Sequence, residues 1–248
     1  MIVLIPMAGL SSRFFDAGFD KPKYMLPLGR DNDVFDQVML PFLCQKNVCK
    51  FIFIYRDIFE TKKYLEKKIK DLKISSAKLV KLDHFTSGQA ETALYGLDGE
   101  NPDSSIVIFN IDTFHLNLDM ISFDTRKYSD YAGVLEVFQD NGSNWSFAKV
   151  DKDGDVVKTA EKDPISNLAS NGMYYFRSVR LYQDLFELAF NERKDYVQGE
   201  AYIAPMYNHL IKAGYKVRVK QIEKSDIIFC GTPDEYRKAK REKKMGAY

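Results

Sequence analysis

The sequence predicts an α/β fold: a doubly wound, mostly parallel sheet with an antiparallel addition in its second half. Two observations favour it. In the first half, short segments that are apolar at nearly every position alternate with segments of helical periodicity, which is typical of parallel strands covered on both faces. From about Tyr131, short strand-like segments follow one another directly and are joined by turn residues. The 248 residues suffice for one large domain, so we expect a single domain, 1–248, with halves 1–125 and 126–248.

The alternation in the first half comes from apolar strands and the polar segments between them. Residues 57–73 place apolar side chains at helical spacing, and we expect Asp57 and Glu60 to cap the start of that helix. Together with the strands on either side, this helix predicts a βαβ unit. The strands are predicted at residues 1–6, 50–55, 77–82 and 104–110.

The second half begins with a run of short strands. Asp153 and Gly154 form a turn signal, so the segments on either side of them are predicted to pair as a hairpin. Two helices, a late strand and a C-terminal helix follow. The strands are predicted at residues 131–138, 145–150, 155–161, 172–176 and 216–222, and the two helices at 179–193 and 200–213.

Charge and cysteine content limit the classes of partner. The 36 basic and 35 acidic side chains give a net charge of +1, so no global field draws the chain to nucleic acid or to an anionic membrane. The three cysteines, Cys44, Cys49 and Cys230, lack a framework spacing, and no apolar run approaches the length that spans a bilayer. We therefore expect a cytoplasmic protein whose partners are small molecules, with no nucleic acid and no membrane.

The first strand ends in a loop suited to binding phosphate. The stretch "LIPMAGLSSRF" passes from its apolar run through Ala8 and Gly9 to Ser11, Ser12 and Arg13. Gly9 lets a ligand approach the backbone, the two serines can donate hydroxyl bonds and cap the next helix, and Arg13 adds a fixed positive charge. The loop matches neither the Walker A pattern nor the dinucleotide-binding glycine pattern. By pattern alone, an ordinary turn from strand to helix fits it equally well.

Two further charged residues are candidates for binding the same ligand. In "DKPKYMLPL", Pro22 fixes an extended backbone and aims Lys23 in one direction. Asp112 follows the fourth strand in "FNID", and a carboxylate at the carboxyl end of a strand can hold Mg²⁺ between phosphates. Taken alone, an aspartate in this position is more often a turn or helix cap.

The opening motifs also resemble a known family. "MAGLSSRF" followed by "KPKYMLPL" is similar to the signature of nucleotidyltransferases that make activated sugars and alcohols. The resemblance extends over residues 1 to about 240 and implies a Rossmann-like nucleotidyltransferase fold. It also implies a Mg²⁺-dependent transfer from a nucleoside triphosphate to a phosphorylated acceptor, with release of pyrophosphate. Residues 1–125 would then bind the nucleotide and 126–248 the acceptor. Further matches are "TSGQAETAL" (86–94), "FNIDT" (109–113), "AEKDP" (160–164), "NGMYYF" (171–176) and "CGTPDEYRKA" (230–239).

The resemblance assigns roles residue by residue. Arg13 and the N–H groups after Gly9 would hold the triphosphate, Lys23 would lie near the α-phosphate, and Lys162 would neutralise the acceptor phosphate. Two assignments have simpler alternatives: Ser-Gly before a helix is a good helix start, and a charged pair after a strand is commonly solvated. The catalytic set is Arg13, Lys23, Asp112 and Lys162, with Asp112 the metal ligand. The nucleotide-binding set is Ala8, Gly9, Ser11, Ser12, Gly88 and Gln89, and the acceptor-binding set is Glu161, Asn171 and Gly172.

The chain departs from the family pattern at one position, which narrows the group of proteins that it resembles. Many sugar-nucleotide members have a second metal-binding aspartate two residues before the glycine of Gly-Thr-Pro, where this chain has Phe229. Together with this departure, the residues of the opening motifs make the chain resemble the small cytidylyltransferases of bacterial capsule phosphoramidate synthesis. That implies CTP as donor and phosphoglutamine as acceptor. The alternatives are a sugar 1-phosphate or phosphocholine-type acceptor, and a non-catalytic nucleotide-binding regulatory subunit. A glycosyltransferase would normally carry a D-x-D pair, and none follows the fourth strand.

Overall fold

Strands and helices alternate through the first half of the chain, as the apolar segments predict. The computed structural model describes residues 1–120, 130–190 and 195–245, and the expected boundary between residues 125 and 126 lies outside them. The first three predicted strands are confirmed to within a residue or two, and the fourth is shorter than expected. In chain order the elements are β1 (Ile2–Met7), α1 (Ser12–Asp16), α2 (Val34–Leu43), β2 (Lys50–Tyr55), α3 (Thr61–Asp71), β3 (Ala77–Lys81), α4 (Gln89–Gly96), β4 (Ile106–Ile108) and β5 (Thr113–His115).

The second half contains the predicted run of strands and the later helices. The helix expected at 200–213 starts only at Tyr207, after a 3-10 turn. Pro205 explains the difference, because it has no N–H to donate and fits only the first turn of a helix. The helix expected at 179–193 is described to Phe190, and its predicted end lies outside the described residues. The elements are β6 (Gly133–Gln139), β7 (Ser146–Val150), β8 (Val156–Glu161), β9 (Leu168–Phe176), α5 (Val179–Phe190), α6 (Tyr207–Lys212), β10 (Val217–Gln221), β11 (Ile227–Phe229) and α7 (Pro233–Lys244).

The central sheet confirms the predicted fold class and has nine strands among the residues that the structure describes. Its main order is β10-β6-β9-β4-β1-β2-β3, and β4, β1, β2 and β3 run parallel. The second half adds the antiparallel part: β9 pairs antiparallel with β4 and β6, and the β7–β8 hairpin joins β9. A separate antiparallel pair, β5 and β11, lies beside the main sheet. The carboxyl ends of the four parallel strands therefore share one edge.

Both faces of the sheet are covered by helices. In β1, Val3 and Ile5 pack in the core with α2, α3 and α7, whereas Ile2 and Leu4 pack on the opposite face with α4, α5 and α6. Because alternate side chains point to opposite faces, a strand buried on both sides is apolar throughout, as the sequence pattern indicated. Among the described residues, no helix combines the length and apolarity that a membrane crossing requires.

The start of α3 differs from the prediction in one residue. Asp57 accepts a hydrogen bond from the Lys62 N–H at 3.0 Å and so caps the first turn as expected. Glu60 makes no such bond, because its backbone is in the left-handed region, with φ at 54°. The cap of α3 therefore comes from Asp57.

Candidate active site

A cleft of about 500 Å³ opens at the carboxyl ends of the four parallel strands. Its walls come from the loops that follow β1, β2, β3 and β4, which is the position the fold predicts for a ligand site. Six of the predicted site residues line it. They are Ala8, Gly9, Lys23, Gly88, Gln89 and Asp112.

The opening loop is tied to the Pro22–Lys23 segment by Ser11. Its hydroxyl accepts a hydrogen bond from the Lys23 N–H at 3.2 Å, and its carbonyl accepts one from Phe14 at 2.8 Å. We expected this hydroxyl to cap α1, but Ser11 has a left-handed backbone, with φ at 56°, and makes no side-chain cap. Ser12 and Arg13 belong to α1 and are exposed. Ser11 therefore sets the distance between the loop and Lys23.

Lys23 and Asp112 meet inside the cleft. The Lys23 ammonium donates to the Asp112 carboxylate with an Nζ to Oδ2 distance of 2.5 Å, and both side chains remain partly exposed, at 24% and 18%. Pro22 is extended, as expected, and Lys23 opens a short 3-10 turn held by the buried Tyr24. The two charged side chains that the sequence singled out thus form an ion pair in the cleft.

The side-chain amides of Gln89 and Asn110 form another part of the cleft wall. Gln89, at the start of α4, donates through its side-chain amide to the Asn110 Oδ1 at 2.5 Å. Beneath Asn110 lies Gly172, whose backbone φ of +91° is left-handed. A Cβ at Gly172 would lie 2.0 Å from the Asn110 amide nitrogen, so only glycine leaves that amide in place. Gly172 therefore supports the cleft from below.

The backbone of Gly88 packs closely against Ala201. A Cβ at this position would lie 2.5 Å from the Ala201 carbonyl oxygen, and φ is +153°. Ala201 in turn donates its N–H to Ser87 at 2.8 Å and accepts from the Ala90 N–H at 3.0 Å. The glycine is thus required by the neighbouring chain segment, and its cleft-facing side stays available to a ligand.

The predicted acceptor-side residues gather next to the cleft. Lys162 donates to the Tyr202 hydroxyl at 2.7 Å and to Gln198 at 3.0 Å. Burial raises the pKa of Tyr202, the Glu200 carboxylate raises it further, and the positive charge of Arg13 acts in the opposite direction. Since Glu200 lines the cleft, this cluster and the cleft are neighbours.

Glu161 is held away from solvent on the same side. Its carboxylate accepts a hydrogen bond from Ser146, whose hydroxyl also contacts the Tyr174 hydroxyl at 3.1 Å. Burial raises the pKa of Glu161, and the charge of Glu200 adds to this, whereas Ser146 and Lys162 lower it. Its carboxyl group therefore ionises less readily than that of an exposed glutamate.

Asn171 is turned inward. Its amide donates to the Glu136 Oε1 at 2.8 Å, and only 2% of the residue is exposed. Burial opposes ionisation of Glu136, but His115, Lys220 and this amide together lower its pKa to about 2. The prediction that Asn171 contacts an acceptor directly therefore has no support in the geometry, because its amide is engaged in this buried network.

A solved structure matches the chain in sequence as well as in fold. A nucleoside-diphosphate-sugar pyrophosphorylase from Vibrio cholerae RC9 is 39% identical, with a TM-score of 0.89, and the match covers 97% of this chain and 100% of that one. The chain belongs to the nucleotidyltransferase family. No protein-family model matches this nucleotidyltransferase, and no curated protein does.

More distant structures share the fold of the nucleotidyltransferase. A UDP-glucose pyrophosphorylase complexed with UDP-glucose is 16% identical, with a TM-score of 0.77, over 99% of this chain and 98% of that one. The inositol-1-phosphate CTP transferase from T. maritima is 13% identical, with a TM-score of 0.71, over 99% of this chain and 96% of that one. At these identities the two matches show the fold alone.

Phe229, at the position of the absent second aspartate, points into an aromatic cluster. Its ring centroid lies 5.5 Å from that of Phe138 and 4.9 Å from that of Trp145. In the part of the nucleotidyltransferase that the structure describes, no three His, Cys, Asp or Glu side chains group as a metal site. Mg²⁺ does not need three, since it binds through one or two carboxylates together with substrate phosphates.

Sequence reasoning missed several residues of the cleft wall, among them Arg56, Phe85 and Glu200. Arg56 directly follows β2, and its guanidinium lies 3.9 Å from the centre of the Phe85 ring. Its buried Nη1 has no hydrogen-bond partner among the described residues. The position of Arg56, after a parallel strand, is a signal that could have identified it. Phe85 and Glu200 lie in irregular segments and carry no comparable signal.

Proposed function

We propose that this nucleotidyltransferase transfers CMP from CTP to a phosphorylated acceptor with release of pyrophosphate. One observation supports the transfer above all others: Lys23 and Asp112 come from separate loops and meet in the cleft, with their charged atoms 2.5 Å apart. A lysine and a carboxylate in contact can serve one phosphate together, the lysine directly and the carboxylate through a cation.

In the proposed reaction, an oxygen of the acceptor's phosphate attacks the α-phosphorus of CTP in line. The bond from that phosphorus to the bridging oxygen breaks, and pyrophosphate leaves with the electron pair. No protein nucleophile is required, so the protein positions both substrates and neutralises negative charge. We assign Lys23 to the α-phosphate, and Arg13 with the N–H groups after Gly9 to the remaining phosphates.

The acceptor is proposed to bind on the side of Lys162 and Glu161. Lys162 would neutralise the incoming phosphate, and Glu161 would bind a polar group of the acceptor. The proximity of this cluster to the cleft, through Glu200 and Tyr202, supports the arrangement.

Mg²⁺ is the proposed cofactor, and the residues present fit it. Asp112 offers carboxylate oxygens, the ligands that Mg²⁺ prefers. Beside it Gly231 has no side chain, and a Cβ there would lie 3.2 Å from the Asp112 Oδ2, so glycine keeps the approach to the carboxylate open. A Mg²⁺ ion held by Asp112 would supply charge neutralisation for the triphosphate and for pyrophosphate.

We further propose phosphoglutamine as the acceptor, in capsular polysaccharide phosphoramidate synthesis. This rests on the resemblance of the opening motifs and on Phe229 in place of the second aspartate. A sugar 1-phosphate is the second candidate, because the relative from Vibrio cholerae RC9 is a nucleoside-diphosphate-sugar pyrophosphorylase. A phosphocholine-type acceptor would use the same chemistry.

The experiment is pyrophosphate release with Mg²⁺ and each of the four nucleoside triphosphates, against phosphoglutamine, sugar 1-phosphates and phosphocholine. The proposal expects release with CTP and phosphoglutamine. Release only with a sugar 1-phosphate or phosphocholine would keep the transfer and replace the acceptor. Nucleotide binding without release in any combination would favour a non-catalytic regulatory subunit.

A further inference from the structure

We propose that Glu235 supplies a second carboxylate to the divalent cation, in place of the aspartate that Phe229 replaces. The inference rests on the proposed function, in which Asp112 holds that cation. It concerns a residue on a different element from Phe229, in the first turn of α7.

The strand pair β5–β11 brings the two carboxylates together. Thr113 pairs with Phe229 in this ladder, so Asp112 precedes one strand and Cys230 follows the other. The Cys230 N–H donates to the Asp112 carbonyl at 2.7 Å and extends the pairing. Residues after Cys230 therefore begin beside Asp112, although they lie far from it in sequence.

Gly231 marks the space between the two side chains. A Cβ built there would lie 3.2 Å from the Asp112 Oδ2 and 3.5 Å from the Glu235 Oε2. Both oxygens thus lie within 3.5 Å of one point that a glycine leaves free. A Mg²⁺ ion retains several water molecules, so a small cradle with two carboxylate oxygens suits it, with direct or water-mediated contacts.

The electrostatic field at this point is negative. Asp112 pairs with the Lys23 ammonium, and the Glu235 carboxylate adds a second negative charge beside them. Two carboxylates and one ammonium give a net negative charge. A divalent cation bound between them would make the net charge positive and so favour binding of a triphosphate.

Glu235 is held in position from both sides. Its Oε2 accepts the Thr232 N–H at 2.9 Å, while Thr232 accepts the Glu235 N–H, which forms a capping box. The next residue, Tyr236, is buried against Phe14 and donates to the Pro27 carbonyl at 2.7 Å. The carboxylate is therefore fixed on a helix start that packs against the opening loop, as a ligand position requires.

The test measures binding of Mn²⁺ in the presence of CTP, from the free Mn²⁺ signal in electron paramagnetic resonance. Glu235→Gln removes the charge but keeps an oxygen that can accept the Thr232 N–H, and Gly231→Ala fills the cradle with both carboxylates retained. Each should weaken Mn²⁺ binding at least tenfold, with the thermal midpoint of Glu235→Gln unchanged. The matched control, Asp234→Asn, changes a neighbouring carboxylate whose side chain is 94% exposed and should bind Mn²⁺ like wild type.

Wild-type Mn²⁺ affinity in Glu235→Gln would overturn the inference. Asp112→Asn separates that failure from a failure of the proposed function. If Asp112→Asn weakens Mn²⁺ binding and Glu235→Gln does not, only the role of Glu235 is wrong. If neither variant weakens it, the metal site proposed at Asp112 is wrong as well.

Discussion

Replacing Gly172 with alanine should destabilise the protein and weaken nucleotide binding together. The new Cβ would lie 2.0 Å from the Asn110 amide nitrogen, and the backbone φ is +91°. A left-handed backbone costs a non-glycine residue about 1–2 kcal/mol, and overpacking costs about 1–3 kcal/mol more. Because Asn110 accepts the Gln89 amide in the cleft wall, relief of the clash must disturb that wall.

Gly214→Ala is the matched control. Gly214 has a similar φ of +82°, but a Cβ there would meet no atom of the described residues within 4 Å. Gly214→Ala should lower the free energy of unfolding only by the cost of a left-handed backbone, about 1–2 kcal/mol. The difference between the two variants therefore measures the clash with Asn110. Urea unfolding gives both free energies, and calorimetric titration with CTP gives the affinities. Equal losses of stability in the two variants, or an unchanged CTP affinity in Gly172→Ala, would refute this reasoning.

Two further predictions concern charged groups of the site. The raised pKa of Glu161 means that its contribution to stability is fully present below the ordinary value of 4.5 and is lost as pH rises through the raised pKa. Urea unfolding across this pH range should therefore show a smaller fall for Glu161→Gln than for wild type, and parallel profiles would contradict it. Arg56→Met should raise the Kd for CTP about tenfold, as expected for a lost hydrogen bond to a ligand, because its buried Nη1 has no hydrogen-bond partner in the described part of the chain. An unchanged Kd in calorimetric titration would exclude Arg56 from binding.

Elements with strictly local signals were predictable from the sequence. The parallel strands bury both faces, so β1 and β2 are apolar at nearly every position and their bounds were nearly correct. The same logic put Asp112 at the ligand-binding edge of the sheet, because ligands collect at the carboxyl ends of parallel strands. The family resemblance put Lys23 near the same phosphates. The structure brings these two side chains into contact.

What the sequence did not indicate depends on contacts between distant segments. The residues around Ala201 are irregular and are held by backbone bonds to Ser87 and Ala90, so no periodicity could place Glu200 in the cleft. The position of Glu235 follows from the pairing of β5 with β11, two short strands that were not predicted. Asn171 matched a family motif, yet its side chain points into a buried charge network that the motif does not encode.

The β5–β11 strand pair also explains how the phenylalanine at position 229 fits into the fold. Its ring packs against Phe138 and Trp145, so an aspartate at this position would place a carboxylate beside aromatic rings. Position 229 therefore serves packing. A second metal-binding carboxylate would come from another element, which is the role inferred for Glu235.

The central claim is that Lys23 and Asp112 carry out the chemistry at one point of the cleft. It is tested most directly by single-turnover pyrophosphate release with CTP and the acceptor identified in the panel, comparing wild type with Lys23→Ala and Asp112→Asn. Circular dichroism of each variant establishes that the fold is intact. Each substitution should slow release by about 100-fold or more, the loss typical of a group that stabilises transition-state charge. A wild-type rate in either folded variant would contradict it.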